Sequence, residues 1–139
     1  MPDRARLWAE LRSTEADWLT GARRRVVEAI GAEASARGVD LVAEWLSDQD
    51  PVRADPLVQD LIGAGADALG LSWQAVPSGA GHDAAHLAHL GPMGMIFVPS
   101  VGGRSHCPEE LTEIDDVVQG IQVLAATLVA MDERPAAAR

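Results

Sequence analysis

All four histidines and the single cysteine of this chain lie between Ser78 and Glu110, in SGAGHDAAHLAHLGPMGMIFVPSVGGRSHCPEE. His82 and His86 stand four residues apart. At that spacing two side chains share a helical face and can grip a metal ion, with Asp83 or His106 completing the shell. As plain helix decoration, His86 and His89 need no partner at all. His106 closes GGRSH, just past a run of apolar residues, where it can serve as a metal ligand or as a loop histidine bonded to backbone. Arg104 beside it can approach an anionic ligand or pair with Glu109. Cys107 offers a nucleophilic thiol in principle, but no histidine–acid arrangement is set out for it, and a buried, inert thiol is the preferred reading.

Two further features suit a small polar ligand. Ser78-Gly79-Ala80-Gly81 is a glycine turn, where backbone N–H groups can approach a ligand closely or the chain can simply pack. Arg12 ends the first expected strand, in ELRS; its guanidinium fork matches a carboxylate at two points, although an arginine at a strand end is often just a solvated charge.

The elements that must position these groups follow from periodicity. Residues 4–12 alternate, with Leu7, Ala9 and Leu11 on one side, and predict a strand. Thr14 with Asp17 resembles a capping box that opens a helix. Trp18, Ala22, Val26 and Ile30 recur every four residues as its packing face, Arg23 to Arg25 as its solvated one, and Gly38 as its stop. Residues 39–46 predict a second strand. The polar stretch around Pro51 marks a boundary. Asp55-Pro56 is a helix start, with Leu57, Val58, Leu61, Ile62 and Leu69 as its stripe and Gly70 as its end. Residues 71–76 predict a strand, His82 to Leu90 a short helix, and Met93 to Val98 a strand covered on both faces. Thr112 is placed to cap a last helix whose stripe is Val117, Ile121, Leu124, Leu128 and Met131. The fold class expected is α/β. A β-α-β portion occupies 1–47, a linker 48–54, a second portion of helices and strands 55–133 and a tail 134–139.

Three segments, SGAGHDA at 78–84, MGMIFVPS at 93–100 and GGRSHCPEE at 102–110, together resemble the C-terminal third of one family. It is the hydantoinase/carbamoylase branch of the metal-dependent aminoacylase and exopeptidase superfamily, to which N-carbamoyl-L-amino-acid hydrolases and allantoate amidohydrolases belong. The resemblance makes 1–47 the second half of an α+β lid and dimerisation domain and 55–133 the closing part of an α/β/α catalytic domain, and it implies a hydrolase of linear amide or ureido C–N bonds with a dinuclear Zn²⁺, Mn²⁺ or Co²⁺ site. It makes His106 a metal ligand and Arg12 the grip on the substrate's carboxylate. Glu10 stands where the family usually has aspartate. The amides of Gly79, Ala80 and Gly81 would face a carbamoyl or ureido substrate, with His82 and Asp83 holding the turn or lining the pocket. In the family a partner's lid histidine steadies the developing oxyanion, which implies a homodimer. The remaining ligands and the glutamate base would lie in segments before Met1. The expectation is therefore that this chain alone does not turn over substrate and pairs with an N-terminal segment. A non-catalytic remnant or split-subunit interaction module is the competing expectation.

Composition bounds these readings. The net charge of −10 argues against nucleic acid as a partner. Hydrophobic residues at 47% exclude wholesale disorder, and the apolar runs are expected to be too short to span a membrane. One cysteine cannot form an internal disulfide, which fits the cytoplasm.

Overall fold

The computed structural model describes residues 3–134 and contains four α-helices: α1 (Ala16–Ala36), α2 (Pro56–Ala68), α3 (Asp83–Leu87) and α4 (Ile114–Asp132). The chain divides into two units. One runs up to Val52 and includes Pro77–Ala80; the other comprises Arg53–Val76 and the residues from Gly81 onward.

In the first unit α1 starts at Glu15 rather than at the expected Thr14–Asp17 box, and no side chain caps it. Ser13 Oγ instead accepts from the Glu15 N–H at 3.1 Å, tightening the turn one residue earlier. Its end follows the sequence. Gly38 takes φ +62°, its N–H donates to Ser35 O, and the Val39 N–H reaches back to Ala34 O, a Schellman closure that a Cβ would oppose. The packed face is rotated from the expected one: Leu19 and Ala22 are buried and Val26 is half-buried, while Trp18 and Ile30 are exposed. Arg23, expected in solvent, turns inward. It pairs with Asp48 Oδ1 and donates to Gln49 O at 3.3 Å, so it ties α1 to the segment before Val52.

The second unit is built on α2 and α4. Asp55 Oδ1 accepts from the Val58 N–H at 3.2 Å with Pro56 in the first helical position, as the sequence predicts. Gly70, at φ +68°, closes α2 with a second Schellman pair, Gly70 N–H to Asp67 O and Leu71 N–H to Ala66 O. The two helices meet where Gly65 faces α4: a Cβ there would lie 3.4 Å from Ala126 Cβ and 3.6 Å from Val123 O. Thr127, buried in this contact, satisfies its hydroxyl by donating to Val123 O at 2.8 Å.

This contact corrects the expected face of α4. Val123 and Thr127 are buried, whereas Ile121, Leu124 and Leu128 are 59%, 48% and 57% exposed. Close helix approach selects small residues, so the larger aliphatic stripe faces outward. A helix that is apolar on both sides also passes a simple test for spanning. At 19 residues and mean hydropathy 1.4, α4 is long and apolar enough to cross a membrane by length and composition alone, contrary to the sequence expectation. It is seated on α2 along one narrow side, and only 11% of its apolar stretch is buried.

The expected strands are a second correction. Among the described residues none of 4–12, 39–46, 71–76 or 93–98 forms a ladder, so the sheet of the α/β assignment is absent there. A strand exists only through a neighbour's N–H and C=O groups, and these segments find none. Met93 O takes a single bond, from the Asp55 N–H at 2.7 Å. The apolar segment 93–98 is nonetheless laid on the helices. A Cβ on Gly94 would sit 2.6 Å from Val58 Cγ1, and one on Gly120 would sit 2.6 Å from Val98 Cγ1. Met1 and Pro2 lie outside the described residues, as does the expected tail apart from Arg134.

Trp73 lies over α2. Its Nε1–H donates to Asp67 Oδ1 at 2.8 Å, and its ring covers Gly63, where a Cβ would stand 2.5 Å from the indole. Gly63→Ala should therefore lower the melting temperature, costing roughly 1–3 kcal/mol through displacement of the ring despite alanine's better helix propensity. Gly31→Ala on α1, with nothing within 4 Å of the new methyl, should stabilise by about 0.5–1 kcal/mol. Thermal unfolding followed by circular dichroism compares the two; equal effects would deny the indole contact.

Candidate functional site

Arg12 is held by three bonds. Its Nε and Nη2 donate to Glu10 Oε1 and Oε2 at 2.8 and 3.0 Å, a two-point grip, and Nη1 donates to Gly79 O. The structure thus joins Arg12 to the glycine turn across 67 residues, two features that the sequence singles out separately. A guanidinium has five N–H groups, so one N–H on each terminal nitrogen stays available. Both partners are exposed, at 56% and 68% of their side chains, so the pair contributes orientation more than stability.

The turn itself is braced by Ser78, whose Oγ accepts from the Ala80 N–H at 3.3 Å and lies 3.0 Å from Ala80 O. Neither Gly79 nor Gly81 takes a left-handed φ, and a Cβ on either would meet open space. Within the described residues, then, the glycines leave a bare, accessible backbone and are not forced by packing. His82 precedes α3 and caps it: Nδ1 accepts from the Ala84 N–H at 3.2 Å. That bond makes Nδ1 an acceptor and leaves the proton on Nε2 if the ring is neutral. The helix ends at Leu87, three residues short of the expected Leu90.

His106 sits in a closed loop. The Val101 N–H donates to Leu111 O at 2.8 Å, the Glu110 N–H donates to Cys107 O at 3.0 Å, and Gly102 and Gly103 take φ +67° and +66°. His106 has φ +57°, and its N–H donates to Glu110 Oε2 at 2.8 Å. The ring is exposed. Glu110 is the residue that sequence reasoning missed; the only signal was its place in HCPEE, four residues on.

Other expectations are not met. No ion pair joins Arg104 to Glu109 among the described residues, and Cys107 is half-buried rather than buried. The described residues hold no group of three or more His, Cys, Asp or Glu that could bind a metal, so the His82–His86 cluster is not assembled. A shallow depression of about 370 Å³ between the start of α2 and Met93 includes Arg53, Asp55 and Gly91 but none of the expected site residues.

The chain is similar over most of its length to known proteins. Residues 13–130 fit the family model of Peptidase family M20/M25/M40. The chain belongs to that family. An N-carbamoyl-L-amino-acid amidohydrolase of Paenarthrobacter aurescens is 36% identical over 123 residues, covering 88% of this chain and 30% of the relative. Allantoate amidohydrolase of Escherichia coli (strain K12) is 37% identical over 94 residues, 66% of this chain and 22% of the relative. A solved amidohydrolase/peptidase structure from Burkholderia cenocepacia superposes with TM-score 0.72 at 30% identity, over 88% of this chain and 30% of its own. The chain therefore spans less than a third of the length of these relatives.

Hydrogen bonding to Arg12 holds the Glu10 carboxyl below the usual glutamate value; slight desolvation opposes this and the guanidinium charge adds to it. A depressed carboxyl favours the folded arrangement above the unfolded glutamate pKa, and that contribution fades as pH falls through the lowered value. In an NMR titration Glu10 should ionise below the ordinary glutamate value, and Arg12→Ala should restore that value. A midpoint unmoved by the substitution would mean that the pair does not form in solution.

Proposed function

We propose that this chain supplies the carboxylate-binding corner, and one metal donor, of an M20-family hydrolase that cuts linear amide or ureido C–N bonds. N-carbamoyl-L-amino acids or allantoate are the substrate class. The observation that carries the reading is Arg12: it is fixed by Glu10 and Gly79, with an N–H left on each terminal nitrogen to meet a carboxylate. Glu10, one methylene longer than the family's usual aspartate, still grips the fork at two points. The bare turn at Gly79, Ala80 and Gly81 offers backbone amides to the body of the ligand.

The family resemblance calls for a pair of divalent cations, Zn²⁺, Mn²⁺ or Co²⁺. The residues described do not fit that group by themselves, because no cluster of three donors exists among them. His106 would be one donor, and the others must come from elsewhere, either from a further segment or from a partner copy. Pairing as a homodimer belongs to the same proposal.

The second reading, a non-catalytic pairing module, is favoured by the exposed Ile121, Leu124 and Leu128 of α4 and by the unladdered 93–98 segment. Both readings place apolar cover on these faces; only the first needs Arg12 to bind a carboxylate.

Titration of the chain with N-carbamoylglycine, followed by NMR, should show binding that weakens on the order of tenfold in Arg12→Ala. His106→Ala should leave that affinity unchanged. Equal affinity in wild type and Arg12→Ala would overturn the carboxylate corner. Supplied with Zn²⁺, Mn²⁺ or Co²⁺, the chain should not hydrolyse N-carbamoyl amino acids; sustained turnover would overturn the single-donor reading.

A further inference from the structure

Among the described residues His106 is the non-glycine residue with positive φ, +57°. A side chain with a Cβ adopts that conformation uncommonly, histidine more often than most, and it persists where the surroundings hold it. Gly102 and Gly103, which take the same region just upstream, have no Cβ to hinder it. One hydrogen bond holds the His106 backbone in place. The Glu110 carboxylate reaches back four residues, and Oε2 accepts the His106 N–H at 2.8 Å. Glu110 is anchored in turn, because its own N–H donates to Cys107 O at 3.0 Å. The base of the loop is shut by the Val101 N–H to Leu111 O bond and by Ser100 Oγ, which donates to Arg104 O.

Backbone dihedrals set the direction in which the Cα–Cβ bond leaves the chain. A residue moved from the left-handed region to the extended one points its side chain elsewhere, whatever its rotamer. The imidazole forms no hydrogen bond with any described residue, so nothing on the ring itself aims it. We infer that Glu110 is the positioning residue for His106: its carboxylate holds His106 left-handed and thereby directs the imidazole, without itself touching substrate or metal. The functional weight of this rests on His106 being the donor proposed above; the positioning itself does not.

The test uses the full chain, isotopically labelled, as wild type, Glu110→Gln and Glu110→Ala. In Glu110→Ala the His106 amide should exchange with solvent on the order of tenfold faster, because a bond to a charged acceptor is gone. The ring Cε1–H and Cδ2–H resonances should move to their random-coil positions. Glutamine keeps an oxygen where Oε2 stood, so Glu110→Gln should retain the ring shifts and most of the amide protection. The Val123 and Thr127 amides in α4 should be equally protected in all three, which separates loss of aim from loss of fold. Wild-type ring shifts and exchange in Glu110→Ala would overturn the inference, as would failure of glutamine to rescue. Neither metal nor substrate enters these readouts, so they stand or fall apart from the N-carbamoylglycine titration.

Discussion

The close approach of α2 and α4 at Gly65 is the contact from which the second unit follows. Without a side chain at that point the helices draw together until Val123 and Thr127 are enclosed, and the Thr127 hydroxyl must then bond within its own helix. The pair of helices makes a platform, and residues 93–98 lie on it through two more missing side chains, Gly94 over Val58 and Gly120 under Val98. Asp55 serves twice, capping α2 with its carboxylate and tethering Met93 O with its amide. From Val98 the chain passes directly into the closed loop that carries His106. The loop from which a candidate donor emerges lies, along the chain, between the two helices that pack.

What could be read from the sequence, and what could not, divides by the range of the interaction. Asp55-Pro56, Gly38 and Gly70 were legible because a cap or a Schellman closure is settled within six residues of chain. The strands were misread for the opposite reason. Alternation in 4–12 and the apolar run of 93–98 report which faces a strand would have, but a ladder needs a neighbour that periodicity does not supply. The face of α4 was misassigned because both of its sides are apolar. Sequence favoured the large aliphatics, whereas the glycine contact admits only the smaller Val123 and Thr127. On α1 the rotation is smaller, about one residue, with Leu19 in place of Trp18.

The site shows the same divide. Arg12 and the glycine turn were each visible as residue types suited to a carboxylate and to a ligand's backbone contacts, yet nothing local announced that Gly79 O would hold Nη1. His106 stood out through the family pattern. Its left-handed backbone, and hence the part played by Glu110, belongs to φ, which composition does not encode for a non-glycine residue. Glu10 and Glu110 each hold one candidate residue by a hydrogen bond, the Arg12 guanidinium and the His106 amide, and neither carboxylate is buried.

Trp73 gives the second unit an optical label of its own. Of the four indoles, Trp8, Trp18 and Trp45 fall in the first unit and Trp73 in the second. Its ring rests on a bare helical backbone with a carboxylate at the pyrrole nitrogen, an environment that disappears as soon as α2 frays. Replacing the other three by phenylalanine would leave fluorescence that follows the helix pair alone, so the cooperativity of the second unit can be resolved without cutting it from the first.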